Sequence, residues 1–233
     1  ADYYDWNGDN MEKTGVTYEY DMNEAEADKS LPENDVSLTK LIGGFIDSHE
    51  GGYTTFSTWD ATLPGVVTFD FQQDCYIGQV DVWSTVLITT EGEKQLLGDV
   101  EVQLSRDGQN FYTVATARNP YKDEYDQLAA EAEAAGTKFE TTVNTEIEFP
   151  TQKARYMRLK MWRYDDGVKT ANKYVLCEVV AHGFIAPPRP NVEFDISEIY
   201  YMDQDGADIY VSTLPHVESM TVTGKVFNNT AND

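Results

Sequence analysis

The sequence predicts an all-β protein, an antiparallel sandwich or barrel with one helix inserted between strands. Three observations carry this. Seven short segments alternate apolar and polar residues at the period of a half-buried strand. They are separated by turn-forming residues rather than by helices, which favours antiparallel pairing over a parallel sheet. Only one stretch of the chain shows helical spacing.

The strand segments are GVVTFDF (65–71), YIGQVDVW (76–83), DVEVQLS (99–105), NFYTVATA (110–117), NTEIEFP (144–150), RYMRLKMW (155–162) and YVLCEVVAHG (174–183). Val100, Val102 and Leu104 alternate with Glu101, Gln103 and Ser105, so one face of that strand is apolar. Asp107-Gly108 then supplies the positive φ of a tight hairpin. Met157, Leu159 and Met161 face one way, and Tyr156, Arg158 and Lys160 the other. In KDEYDQLAAEAEAAG (122–136), Tyr125, Leu128, Ala129 and Ala132 form a helical stripe expected to lie against the sandwich. Asp123 is placed to cap that helix and Gly136 to end it.

Residues 1–35 hold eleven acidic residues against two lysines, with TYEY (17–20) as a first strand. Residues 38–60, rich in glycine and hydroxyls, read as a long ordered loop. APPRPN (186–191) reads as an extended linker, giving a main domain over 36–186, a Pro-rich connection over 187–191 and a second module over 192–233. That module has two or three strand candidates, FDISEIYYM, ADIYVSTL and SMTVTGKVF, which resemble the opening of an immunoglobulin- or fibronectin-like domain. The acidic opening and the polar close, NNTAND, are expected of a piece of a longer polypeptide.

A formal charge of −24 disfavours nucleic acid and anionic membranes, since like charges repel. No apolar run reaches the length of a membrane span. Two cysteines, Cys75 and Cys177, make no disulfide framework and no paired metal motif; whether they bridge is open at this stage. The three histidines, His49, His182 and His216, form no HExxH, and neither a GxSxG nor a phosphate loop occurs, so the expectation is a protein that is not an enzyme. MDQDGAD (202–208) and DWNGDN (5–10) lack the spacing of a calcium loop ending in glutamate and read as acidic turns.

Taken in order, LTKLIGG, VVTFDF, IGQVDVW, VEVQLSRDGQNF, ARYMRLKM and EVVAHG resemble the F5/8 type C (discoidin-like) family, including family-32 carbohydrate-binding modules, over about residues 36–186. The resemblance implies a galactose-binding-like antiparallel β-sandwich (jelly roll) with a ligand site in the loops at one end. It also implies a structural calcium ion, with Glu178 as the metal carboxylate, Asp47, Thr54 and Thr55 as further donors, and Leu41 and Gly44 lending carbonyls. Gly43 stands where the family's loop has an aspartate.

Sugar recognition combines an aromatic platform with planar polar side chains. The candidates in loops are Trp59, Trp83, Arg163, Tyr164, Asn172, His49 and Tyr53. The expected function is that of a non-catalytic carbohydrate-binding module in a secreted or surface-bound, multimodular bacterial protein, expected to be a glycan-degrading enzyme, with glycan and neighbouring modules as partners. The alternative is a protein-binding adhesion or spacer module. Exposed aromatics on the 38–60, 83–98 and 163–173 loops favour the first, and loops packed shut by their own side chains favour the second.

Overall fold

The computed structural model describes residues 15–20, 35, 37–44, 46, 53–57, 60–121 and 124–186, and the backbone alone of 192–202, 208–209 and 220–228. The chain divides into two compact units, 1–186 and 187–233.

In the first unit the described strands are β1 (Thr17–Tyr20), β2 (Thr54–Ser57), β3 (Gly65–Ile88), β4 (Lys94–Gln95), β5 (Leu97–Ser105), β6 (Tyr112–Arg118), β7 (Phe139–Arg163) and β8 (Lys173–Ile185). All of them pair antiparallel in the order β2-β8-β3-β7-β5-β6, with β1 and β4 also on β3. The fold class read from the sequence is thus the one observed.

The main correction concerns continuity. Segments 65–71 and 76–83 belong to one strand, as do 144–150 and 155–162. The intervening QQD and TQKA look like turns, yet the chain bends there without reversing. Register between β3 and β7 shifts between Asp70 and Cys75, where Gln72 takes a φ of 61°. The bend is clamped by Arg155, whose Nε and Nη2 each lie 2.9 Å from a carboxylate oxygen of Asp70. Before the bend β3 pairs with β1, and after it with β8, so one curled sheet supplies both faces of a sandwich.

Those faces close on one core. Val67, Phe69, Val80 and Val82 of β3 meet Val100, Val102 and Leu104 of β5, Met157, Leu159 and Met161 of β7, and Leu176 and Val179 of β8, all essentially inaccessible to water. Each large apolar side chain so buried stabilises the fold by about 1.5–3 kcal/mol. The Asp107-Gly108 hairpin forms as expected: Gly108 has a φ of 74°, and Asp107 Oδ1 accepts the Gln109 and Asn110 N–H groups, each at 2.8 Å.

Helix α1 (Tyr125–Ala135) ends at Gly136, whose φ of 62° lets its N–H and that of Thr137 reach back to Glu133 and Ala132. Its expected cap, Asp123, lies outside the described residues. Tyr125, Leu128 and Ala132 do face the protein, and Tyr125 and Leu128 join a second apolar cluster with Val86, Leu96, Val143 and Tyr164. Cys75 and Cys177 are both buried free thiols, so no bridge joins them. In the second unit, β9 (Val192–Met202) pairs antiparallel with β10 (Asp208–Ile209) and β11 (Met220–Asn228).

Candidate functional site

Where the 83–98 and 163–173 loops meet, the tip is closed by their own side chains, while Leu38, Ile46 and Val168 of the loops stand exposed. Strand β3 runs on to Ile88, and a tight turn, with Thr89 and Gly92 hydrogen-bonded across it, leads directly into β4. Lys94 is only 2% exposed. Its ammonium donates to Asp126 of α1 at 2.7 Å and to Asp166 of the 163–173 loop, and sits 5.5 Å from the Tyr164 ring centroid. Tyr164 in turn donates its hydroxyl to Asp166 at 2.9 Å and packs edge-on against Tyr125. Burial lowers the Lys94 pKa, but the two carboxylates outweigh it and hold the group above the usual lysine range.

This arrangement relocates the sequence-based candidates. Tyr164 is a core ring. Trp83 is half-buried in mid-strand, paired with Asn144 and Glu178, because its strand continues beyond the predicted end. Asn172 is half-buried just before β8, and Tyr53 is half-buried with the Lys40 ammonium 5.5 Å from its ring centroid. Trp59 and His49 lie outside the described residues, as does the proposed metal donor Asp47.

A concave site is present beside the closed tip, on the outer face of the β5–β7 sheet. Its volume is about 650 Å³, and Asp99, Glu101, Arg118, Trp162, Arg163 and Asp165 supply its chemistry. It forms where β5 and β7 slip out of register between Leu97 and Val100. Gly98 permits the slip: a Cβ there would stand 3.1 Å from the carbonyl oxygens of both Trp162 and Arg163. Trp162 continues the outward row of Tyr156, Arg158 and Lys160, and its indole N–H donates to the Thr62 carbonyl at 3.1 Å, which fixes the ring.

Around that ring the polar groups are held in place. The Arg163 side chain is 8% exposed, and its Nη2 lies 2.8 Å from Asp165 Oδ2. Nη1 donates to the carbonyls of Tyr164 and Ala171 at 3.5 and 3.4 Å. Nε is buried and has no hydrogen-bond partner among the described residues. Asp165 is held below the usual carboxylate range, first by the Gly167 N–H and then, against the opposing effect of burial, by Thr170 and Arg163. Glu101 accepts from Thr113 at 2.8 Å and from Gln103 at 2.6 Å. At the rim, Arg118 Nε lies 3.6 Å from Asp99. Arg163 was legible as a candidate in the sequence; Trp162 was not selected, although its outward parity at a strand end was a usable signal.

The residues expected around calcium are partly brought together. The 3-10 turn Lys40–Ile42 packs on β8, and the Gly44 N–H donates to Glu178 Oε2 at 3.0 Å. Glu178 is fully buried, and Thr54 pairs with Leu176, two residues away on β8. Among the described residues, no three acidic, histidine or cysteine side chains gather as a metal cluster. The fit to calcium is therefore partial: one carboxylate, already receiving a peptide N–H, beside carbonyl and hydroxyl oxygens. A residue not anticipated, Asp35, positions this segment. It accepts the hydroxyls of Tyr18 and of Tyr20, the latter at 2.6 Å, and the N–H groups of Thr39 and Lys40 at 3.2 and 3.3 Å.

No helix among the described residues is long and apolar enough to cross a membrane. No protein-family model and no curated protein matches the chain. Among solved structures it is similar to CBM32-3 from a family 31 glycoside hydrolase of Clostridium perfringens, with 20% identity, a TM-score of 0.42, and coverage of 73% of this chain and 92% of that one. It is similar to the C-terminal domain of a chitobiase from Bacteroides fragilis, with 16% identity, a TM-score of 0.40, and coverage of 73% and 96%. It is also similar to CpGH89CBM32-5 of Clostridium perfringens, solved with GalNAc-beta-1,3-galactose, with 13% identity, a TM-score of 0.38, and coverage of 72% and 96%.

Proposed function

We propose that the first unit is a non-catalytic glycan-binding module whose ligand surface is the lateral cleft on β5 and β7. One observation carries this reading: a fixed tryptophan ring lines a concave surface beside carboxylates that accept hydroxyls. Sugars present an apolar C–H face to such a ring and hydroxyls to such groups. The resemblance of the sequence to F5/8 type C domains supports the same reading, although fold alone does not assign function.

The parent is read as a secreted or surface-bound, multimodular bacterial protein, with the 187–191 segment as linker and strands of an immunoglobulin- or fibronectin-like module in the second unit. Calcium belongs to the proposal: Glu178, with oxygens from Leu41, Gly44, Thr54, Thr55 and Asp47, would hold a structural ion. The ion would tie the 38–60 segment to β8.

A second reading, a protein-binding or spacer module, is favoured by the tip that Lys94, Asp126, Tyr164 and Asp166 keep shut. A glycan array probed with and without calcium, followed by calorimetric titration of any hit, separates the two. Binding lost on Trp162→Ala supports the cleft; silence across a broad array supports the spacer.

A further inference from the structure

Resting on the glycan-binding reading, we infer that the cleft selects neutral glycans and rejects uronate-bearing or sulfated ones. The basis is that both guanidiniums along its lining already face carboxylates. Carboxylate and sulfate groups are best held by a bidentate fork, two parallel N–H donors from one arginine. Arg163 has no fork to offer, since Nη2 is engaged by Asp165 and Nη1 by two carbonyls. The remaining N–H, at Nε, is buried and lies out of a ligand's reach. Arg118 stands at the rim, 72% exposed, and faces Asp99.

The field in the cleft points the same way. Asp99, Glu101 and Asp165 set three carboxylates against two guanidiniums along the lining. The whole chain carries −24, so an anionic polymer is repelled before it arrives. Glu101 and Asp99 instead present acceptor oxygens at the spacing of a strand's outward residues, suited to sugar hydroxyl donors. Trp162, fixed through Thr62, supplies the apolar platform.

The probes are two sets of polysaccharides titrated into the 233-residue protein at low and high salt: neutral galactan, mannan, xylan and β-glucan, against alginate, polygalacturonate and chondroitin sulfate. The expected result is binding to at least one neutral polymer, with every anionic one weaker by about tenfold or more at low salt and the gap narrowing as salt screens the repulsion. Asp165→Asn frees one arm of the Arg163 fork and should raise anionic binding several-fold, while Trp162→Ala weakens neutral binding. An anionic polymer bound more tightly than every neutral one overturns this inference and leaves the glycan-binding reading standing. Anionic binding unmoved by Asp165→Asn also overturns it. Binding to neither set overturns both.

Discussion

Replacing Lys94 with alanine should show how the loop tip is kept closed. The substitution removes a 2% exposed ammonium from between Asp126, whose side chain is 83% exposed, and Asp166, which is 25% exposed. Asp126 returns to water at little cost. Asp166 loses its cation and keeps only the Tyr164 hydroxyl and the Val168 N–H, each at 2.9 Å. Breaking a buried pair by removing one partner costs about 3–5 kcal/mol, and the exposure of Asp126 and the two remaining donors reduce this to about 2–4 kcal/mol.

For a domain of this size that is a fall in melting temperature of roughly 5–15 °C, measured by calorimetry or by urea unfolding followed by circular dichroism. Asp126→Ala should cost no more than about 1 kcal/mol, as an exposed partner. Lys94→Met with Asp166→Asn, which leaves only the exposed Asp126 without its cation, should recover most of the loss. The pH dependence has a definite sign. The folded Asp166 pKa is depressed, because Lys94 and the Val168 N–H outweigh the opposing, larger single effect of burial. Its contribution is therefore present above the ordinary aspartate pKa and is lost as pH falls through the folded one. Lys94, raised on folding, contributes fully below the ordinary lysine pKa and loses that contribution as pH rises through its folded value. A Lys94→Ala protein within about 0.5 kcal/mol of the parent would refute the reasoning, as would an equal loss in Asp126→Ala.

Other consequences follow from the packing. A Cβ on Gly183 would lie 1.9 Å from the Tyr76 carbonyl oxygen, so Gly183→Ala should lower the melting temperature by an amount matching about 3 kcal/mol or prevent soluble expression; an unchanged melting curve contradicts the β3–β8 approach. Burial first, then Asp74 and Asp70, pushes the Cys75 thiol up to about 12, and Cys177 is equally inaccessible. A thiol reagent at mildly alkaline pH should thus label both cysteines only after unfolding, and labelling of the native protein would contradict their burial. Saturating calcium should raise the melting temperature of the parent protein and not of Glu178→Gln; equal shifts in both would remove Glu178 from the site.

The alternation of Val100, Val102 and Leu104, and of Met157, Leu159 and Met161, was enough to place the core, because a half-buried strand writes its burial into a period of two. The hairpin at Asp107-Gly108 was legible for the same local reason, a turn that demands positive φ. What failed to show was continuity and closure. QQD and TQK are polar because a sheet corner is exposed, and polarity alone does not separate a corner from a turn. Lys94 reads as an ordinary surface lysine; its partners lie 32 and 72 residues away, and no local pattern announces them. The lateral cleft proposed as the ligand surface was hidden for the same reason, since the β5–β7 slip at Gly98 depends on pairing between distant strands. Trp162 differs: strand parity already placed it outside.

The measurement closest to the central claim is calorimetric titration of the parent and Trp162→Ala proteins with a glycan that the parent binds on an array. The account predicts a parent dissociation constant of roughly micromolar to millimolar, lost in Trp162→Ala while the melting temperature moves by no more than about 2 °C. Unchanged affinity in Trp162→Ala would contradict the claim that this cleft is the binding surface.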